Sequence, residues 1–254
     1  MTVMCGTHGD ETCGIKAVEE ILPTLDIEAG SINFIYGNLE AIKRGARFIE
    51  MNLNRAFRPD QELTKKEQES YERQRALELV PYLISSAALL DIHSSKTERS
   101  TPFLICEPQA FEITKRLLFP IRSCGWDKLE PGGTDYFVNQ FGGQGVCAEC
   151  GYHFDSAAVG RAKKAIIDFL IINGNISGQL PSINNEQRQI DAYFIYRTKD
   201  NFVPTRNFDD FEQLYPGEII GTDGSREIKT GSADYIIFCR RRPGPSEEAF
   251  ILGK

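Results

Sequence analysis

No apolar run in the 254-residue sequence approaches the roughly 20 residues that a membrane-spanning helix needs, and the first residues lack a basic segment followed by an apolar stretch. The expectation is a cytoplasmic protein with no membrane partner. Positive charge is in short supply, with 29 Lys and Arg against 36 Asp and Glu and a net charge of -7. Such a surface repels polyanions, so nucleic acid is not expected as a partner, and an anionic ligand requires a local cationic pocket. Cysteine is odd in number and scattered, at positions 5, 13, 106, 124, 147, 150 and 239. That pattern argues against a disulfide framework and for reduced thiols. Only Cys147-Ala148-Glu149-Cys150 has a metal or redox spacing, and no second close pair completes a four-cysteine zinc site. Internal repeats and low-complexity tracts are absent.

Hydrophobic residues make up 41% of the chain, enough for one large core or one core plus a satellite. Short β-forming apolar runs alternate with helical segments through the first two-thirds, the pattern of an α/β domain with a mainly parallel sheet. Strands are expected at Thr2 to Cys5, Ser31 to Tyr36, Ala88 to His93, Pro102 to Cys106 and Gly145 to Cys150. Helices are expected at Glu11 to Leu25, Thr64 to Ser85, Gln109 to Leu118, Thr134 to Phe141 and Ser156 to Asn173. Thr64 and Glu67 have the capping-box spacing, and Asp155-Ser156 opens the last helix. After Asn173, Gly and Pro cut the chain into strand-like pieces. A domain over 1–176 and a small β-rich domain over 177–254 follow from this change. Lys65-Lys66 and Arg240-Arg241-Arg242 are short basic runs expected on solvated faces.

Histidine is the scarcest chemistry-bearing residue, with three in the chain. His8 and Glu11 lie in Gly6-Thr7-His8-Gly9-Asp10-Glu11, directly after an apolar strand, where two glycines permit a tight turn. His93 and Glu149 each close a further strand. Sites in open α/β sheets form outside the carboxyl ends of strands, so three strand ends deliver His, Glu, His and Glu to one place. Two histidines and a carboxylate form one of the ligand sets of catalytic zinc, with a fourth position left for water. His8, Glu11 and His93 are therefore candidate ligands for one Zn2+ per chain, and Glu149 is the candidate base. His153 is read as a structural or supporting residue rather than a ligand.

Gly6-Thr7-His8-Gly9-Asp10-Glu11, Asn52-Leu53-Asn54-Arg55-Ala56-Phe57, Asp91-Ile92-His93-Ser94 and Glu149-Cys150-Gly151 resemble, in order, the motifs of the succinylglutamate desuccinylase/aspartoacylase family, relatives of the zinc carboxypeptidases. Leu214-Tyr215-Pro216-Gly217-Glu218 and Ala249-Phe250 resemble the family's C-terminal β domain. The resemblance implies a zinc carboxypeptidase-like α/β fold and hydrolysis of a small N-acylated amino acid. It further implies that Glu149 moves the water's proton to the leaving amine, that Arg47 faces the developing oxyanion, and that Asn54 and Arg55 grip a substrate carboxylate. Asp91 is a candidate support for His93, although strand alternation is expected to turn it to the other face. A homo-oligomer is compatible with all of this.

Two stretches depart from the family pattern. Members acting on N-acetylaspartate place a tyrosine just before the terminal Ala-Phe, where this chain has Arg240-Arg241-Arg242-Pro243-Gly244-Pro245. The segment Gly133-Thr134-Asp135-Tyr136-Phe137-Val138-Asn139 lacks the arginine that would meet a second substrate carboxylate. Because only four residues precede Cys5, an upstream segment is expected to be missing or supplied by a partner. Three other readings stay open: a carboxypeptidase on short peptides, a redox or structural-metal protein using Cys147 and Cys150, and a catalytically silent binder of small carboxylates.

Overall fold

A computed structural model describes the chain from Met1 to Lys254. Its centre is a seven-stranded sheet of β1 (Thr2–Cys5), β2 (Asn33–Tyr36), β3 (Ala88–Ser95), β4 (Phe103–Cys106), β5 (Ile121–Ser123), β6 (Gln144–Tyr152) and β7 (Arg188–Gln189). The order is β2-β1-β3-β6-β4-β5-β7. Every pairing is parallel except β4 with β6, so two parallel blocks meet at one antiparallel joint. The mixed, mainly parallel sheet matches the expected fold class.

Helices α1 (Cys13–Ile21), α2 (Leu39–Arg44), α3 (Lys65–Gln68), α4 (Tyr71–Leu83), α5 (Phe111–Thr114), α6 (Trp126–Leu129), α7 (Thr134–Gln140) and α8 (Ala158–Ile172) flank it. Parallel strands covered on both faces read as continuous apolar runs, which is why β1, β3 and β6 were visible in the sequence. Alternation then sorts their side chains. Val3, Leu90, Ile92, Val146, Ala148 and Cys150 enter the core shared with α1 and α8. Met4 and Leu89 enter a second core with Ala76, Leu79 and Leu83 of α4 and Val138 of α7.

The capping box at Thr64 forms, but the helix it starts is short. Ser70 Oγ donates to the Glu67 carbonyl and accepts from Arg73 N–H, so one helix ends and another begins where a single one over Thr64 to Ser85 was expected. The helix expected at Gln109 to Leu118 contracts to α5 behind a 3-10 turn at Pro108–Ala110. From α4, Glu72 reaches the irregular segment between α2 and α3. Fully buried, its carboxylate accepts from Asn38 Nδ2 at 3.0 Å and from the backbone N–H groups of Ile49, Glu50 and Met51 at 2.6, 3.1 and 3.1 Å.

The C-terminal part contains β8 (Ala192–Arg197), β9 (Phe202–Pro204), β10 (Glu212–Gln213), β11 (Ile219–Asp223), β12 (Arg226–Lys229), β13 (Tyr235–Ile237) and β14 (Glu248–Gly253). They form an antiparallel four-stranded sheet, β10-β13-β14-β8, and a three-stranded one, β12-β11-β9. Phe202, Ile220, Ile236 and Phe250 build a core of their own. Phe211, Ile237 and Ile251 pack with Phe103 and Trp126, which fastens these sheets to the large one. β7, although beyond residue 176, pairs with β5 at the edge of the large sheet. No helix is long and apolar enough to cross a membrane.

Candidate active site and metal centre

The carboxyl ends of β1, β3 and β6 open into one cavity. His93 and Glu149 are register partners on adjacent strands, and the turn after β1 folds His8 and Glu11 onto them. Two glycines shape that turn. Gly6 has φ +66°, and a Cβ on Gly9 would lie 2.0 Å from the Ala41 carbonyl carbon, so only a residue without a side chain fits there.

Ligand atoms of His8, Glu11 and His93 lie within 4.8 Å of one another, and all three residues are buried. His8 Nδ1 is 2.8 Å from Glu11 Oε1, and His93 Nδ1 is 3.0 Å from Glu11 Oε2. The far nitrogens are also engaged. His8 Nε2 lies 2.9 Å from Asn52 Oδ1, an oxygen that also accepts the Asn54 N–H. His8 Nε2 must then carry the ring proton. Burial and the charge of Arg47 lower the His8 pKa to about 4, which favours the neutral ring that a metal ion requires of a histidine ligand. The convergence of two histidine nitrogens and a carboxylate on one buried point fits a small dication, with His8 backed by Asn52 and His93 by Asp91.

Asp91 stands behind His93: its Oδ2 is 3.2 Å from His93 Nε2, an ion-pair contact without hydrogen-bond alignment. The expectation that Asp91 faces away is corrected, because residues two apart on a strand share a face. Thr7 and Thr134 hydroxyls donate to Asp91 at 2.9 and 2.7 Å and fix the carboxylate. Burial opposes charge on both groups. Their attraction outweighs it, holding Asp91 below its usual range and raising His93 well above its own.

Glu149 lines the cavity, and its Oε2 is buried with no hydrogen-bond partner. Burial and the charge of Glu11 push its carboxyl up to about 8; a dication held by the neighbouring ligands would pull it back down. Arg47 reaches Glu11 Oε1 at 2.9 Å through one Nη and keeps its other donors for the cavity. Asn54 also lines it, with Oδ1 buried and unpartnered. Arg55 is there too, but its guanidinium already contacts the Glu130 and Glu248 carboxylates, the latter at 3.5 Å, and the Asn54 carbonyl at 2.9 Å. The residue expected to grip a substrate carboxylate thus meets two carboxylates of the chain itself.

Cys147 and Cys150 part company. Cys147 shares the His93 face and lines the cavity, whereas Cys150 enters the core beside α1 and α8. They cannot hold one ion together, which removes the basis of the two-cysteine reading. All seven cysteines are free. His153 Nδ1 bonds Ser94 Oγ at 2.8 Å, and the residue stands next to Asp10 and Glu11 rather than in the three-ligand cluster.

Several residues at the site escaped the sequence reading. Asn52 sits in a motif that pointed to its neighbours. Glu130 and Glu248 gave no local signal. Arg240 and Arg242, expected on a solvated face, instead line the cavity, while Arg241 is exposed; β14 runs back past the site and turns them inward.

Residues 1–170 match the succinylglutamate desuccinylase/aspartoacylase catalytic domain. The succinylglutamate desuccinylase of Pseudoalteromonas atlantica is 31% identical over 173 residues, 58% of this chain and 48% of that protein. The Pseudomonas aeruginosa enzyme of the same name is 33% identical over 105 residues, covering 39% and 28%. The matched region thus spans half or less of these relatives. Among solved structures, succinylglutamate desuccinylase from Vibrio cholerae superposes with a TM-score of 0.80 at 19% identity, over 100% of this chain and 80% of that one. The Vibrio parahaemolyticus structure gives 0.78 at 18%, over 99% and 80%. With its motifs in order, its catalytic region matched and its fold shared along the whole chain, the protein belongs to the succinylglutamate desuccinylase/aspartoacylase family.

Proposed function

We propose that the protein hydrolyses the amide bond of a small N-acylated amino acid, with one Zn2+ held by His8, Glu11 and His93 and with Glu149 as general base. The observation that carries this reading is the buried convergence of ligand atoms of His8, Glu11 and His93 within 4.8 Å of one another, in a cavity that also holds the unpartnered Glu149 Oε2. When bound, the ion supplies Lewis acidity that polarises the scissile carbonyl and makes a water acidic near neutral pH.

The chain's own residues do the rest. Glu149 takes a proton from the attacking water as its oxygen adds to the carbonyl carbon, then gives that proton to the leaving nitrogen as the C–N bond breaks. A carboxylate and a free amine are the products. Arg47 offers its remaining N–H groups to the carbonyl oxygen as that oxygen gains charge. Asn54 lies on the same wall and orients the substrate, while Arg55 keeps Glu130 and Glu248 in position rather than binding a substrate anion by itself. Seven unpaired thiols suit a reducing compartment, which supports a cytoplasmic protein.

Metal content by mass spectrometry and amine release from N-acylated amino acids, measured on wild type, His93→Ala and Glu149→Gln, test this. The expected result is one zinc per wild-type chain, loss of zinc and activity in His93→Ala, and retained zinc with a rate reduced by about 10²–10⁴ in Glu149→Gln. A His93→Ala protein that keeps its zinc would overturn the ligand set. Zinc without turnover of any amide would leave a carboxylate binder.

A further inference from the structure

Beside the His8/Glu11/His93 cluster lies a second group of metal-ligating side chains. Ligand atoms of Asp10, Glu11 and His153 fall within 4.8 Å of one another. Asp10 and Glu11 come from the turn after β1, and His153 directly follows β6. Neither Asp10 nor His153 lines the cavity that holds Glu149, so this group stands outside the walls that a substrate would touch.

Two of its donor atoms are orphans. Asp10 Oδ1 and His153 Nε2 are buried and have no hydrogen-bond partner, a costly state for a polar atom unless a ligand relieves it. The remaining atoms of both side chains are engaged. Asp10 Oδ2 lies 2.7 Å from Lys96 Nζ, and His153 Nδ1 lies 2.8 Å from Ser94 Oγ. The His153 backbone N–H donates to the Ser95 carbonyl at 2.9 Å, which fixes the residue from its main chain as well. Ser94 Oγ can take the Nδ1 proton, leaving Nε2 as a ligand atom, and a hydrogen bond of this kind is the usual second contact of a metal-bound histidine.

We propose that Asp10, Glu11 and His153 form a second divalent-cation site, which rests on the zinc reading of the first cluster only in that Glu11 serves both. One imidazole and two carboxylates suit zinc and its first-row neighbours, whereas Mg2+ and Ca2+ favour all-oxygen sets. Two contacts make this the weaker site. The Glu11 oxygens are already met by His8, His93, Arg47 and the Ser94 N–H, and Lys96 places a competing positive charge on Asp10. The second ion therefore enters after the first, and it reaches the reaction only through the carboxylate that the two share.

The test titrates the chelator-stripped full chain with Zn2+ in a buffer containing Mg2+, following binding by calorimetry and counting bound zinc by mass spectrometry after dialysis. Wild type should bind two zinc ions, one tightly and one weakly. Asp10→Ala and His153→Ala should each keep the tight ion, which also shows that the variant is folded, and lose the weak one. Lys96→Gln should tighten the weak ion by about two- to fivefold, the worth of an exposed ion pair. His93→Ala should lose the tight ion and keep a weak one that His153→Ala then removes. A single zinc in wild type, or a second zinc unchanged in both Asp10→Ala and His153→Ala, would overturn the second site and leave the first intact. Zinc that depends on His153 but not on His93 would sustain the second site and sink the ligand set of the first. No bound zinc at all would overturn both.

Discussion

Replacing Asp91 by Asn probes the support behind the metal centre without altering a ligand. The new side chain has the same shape and retains a carbonyl oxygen for the Thr7 or Thr134 hydroxyl, but loses the charge facing His93 Nε2 across 3.2 Å. Groups that orient a ligating histidine in this way contribute about 10–100-fold to metal affinity. That range corresponds to about 1.4–2.7 kcal/mol. At a fixed zinc concentration well above both dissociation constants, the same amount is lost from the stability that zinc adds. For a protein of this size each kcal/mol moves the midpoint by about 2–4 °C, so the gap between zinc-loaded and chelated midpoints should narrow by about 3–11 °C. Competition against a chromophoric chelator gives the affinity directly, and thermal unfolding with and without EDTA gives the gap. Equal zinc affinity in Asp91→Asn and wild type would refute the reasoning. So would a destabilisation of the same size in the chelated and loaded forms, because Asp91 would then stabilise the fold and not the site.

Three further outcomes follow from particular contacts. Gly9→Ala should cost about 1–3 kcal/mol, because a Cβ there meets the Ala41 backbone at 2.0 Å; zinc binding measured on the folded fraction should fall too, since the turn carries His8 and Glu11. Asp127→Asn should change the pH dependence of stability. The folded carboxyl titrates near 7 rather than at the usual 3.8, so between those values the fold keeps a proton that the unfolded chain has released, and wild-type stability falls as pH rises through the window. The variant lacks that fall, so its midpoint relative to wild type should rise from pH 4 to pH 8 in thermal scans; a constant difference would refute the assignment. Glu72→Ala leaves a side-chain amide and three backbone N–H groups without their acceptor and should cost about 3 kcal/mol or more, read by urea unfolding. Loss of stability with unchanged KM would show that the segment keeps its shape without the clamp.

The parts of the fold legible in the sequence are those dictated locally. Parallel strands buried on both faces, such as Ala88 to Ser95, stand out as apolar runs, and the histidines and carboxylates at their ends are brought together in one buried cluster. Helix boundaries were less legible, because the break at Ser70 depends on one hydroxyl serving two backbone groups. Asp91 is legible too, since it lies two positions from His93 on one strand and alternation places both on the same face. Least legible were the features that set the cavity's charge. Glu130 reaches Arg55 from the end of a short helix, Glu248 reaches it from the final strand, and Arg240 looks in isolation like any surface arginine. Their meeting is a product of tertiary packing, and nothing in the local sequence around any of them announces it.

Glu72 holds the segment bearing Arg47, Asn52, Asn54 and Arg55, and it does so largely through backbone N–H groups at Ile49, Glu50 and Met51. A clamp that grips main chain is indifferent to which side chains the segment displays. Substitutions along it can therefore accumulate without the loop losing its course, and the wall of the cavity can be re-lettered while its frame stays put. Divergence within one scaffold becomes mechanically easy: the side chains that line the cavity can change class without disturbing the backbone course that presents them.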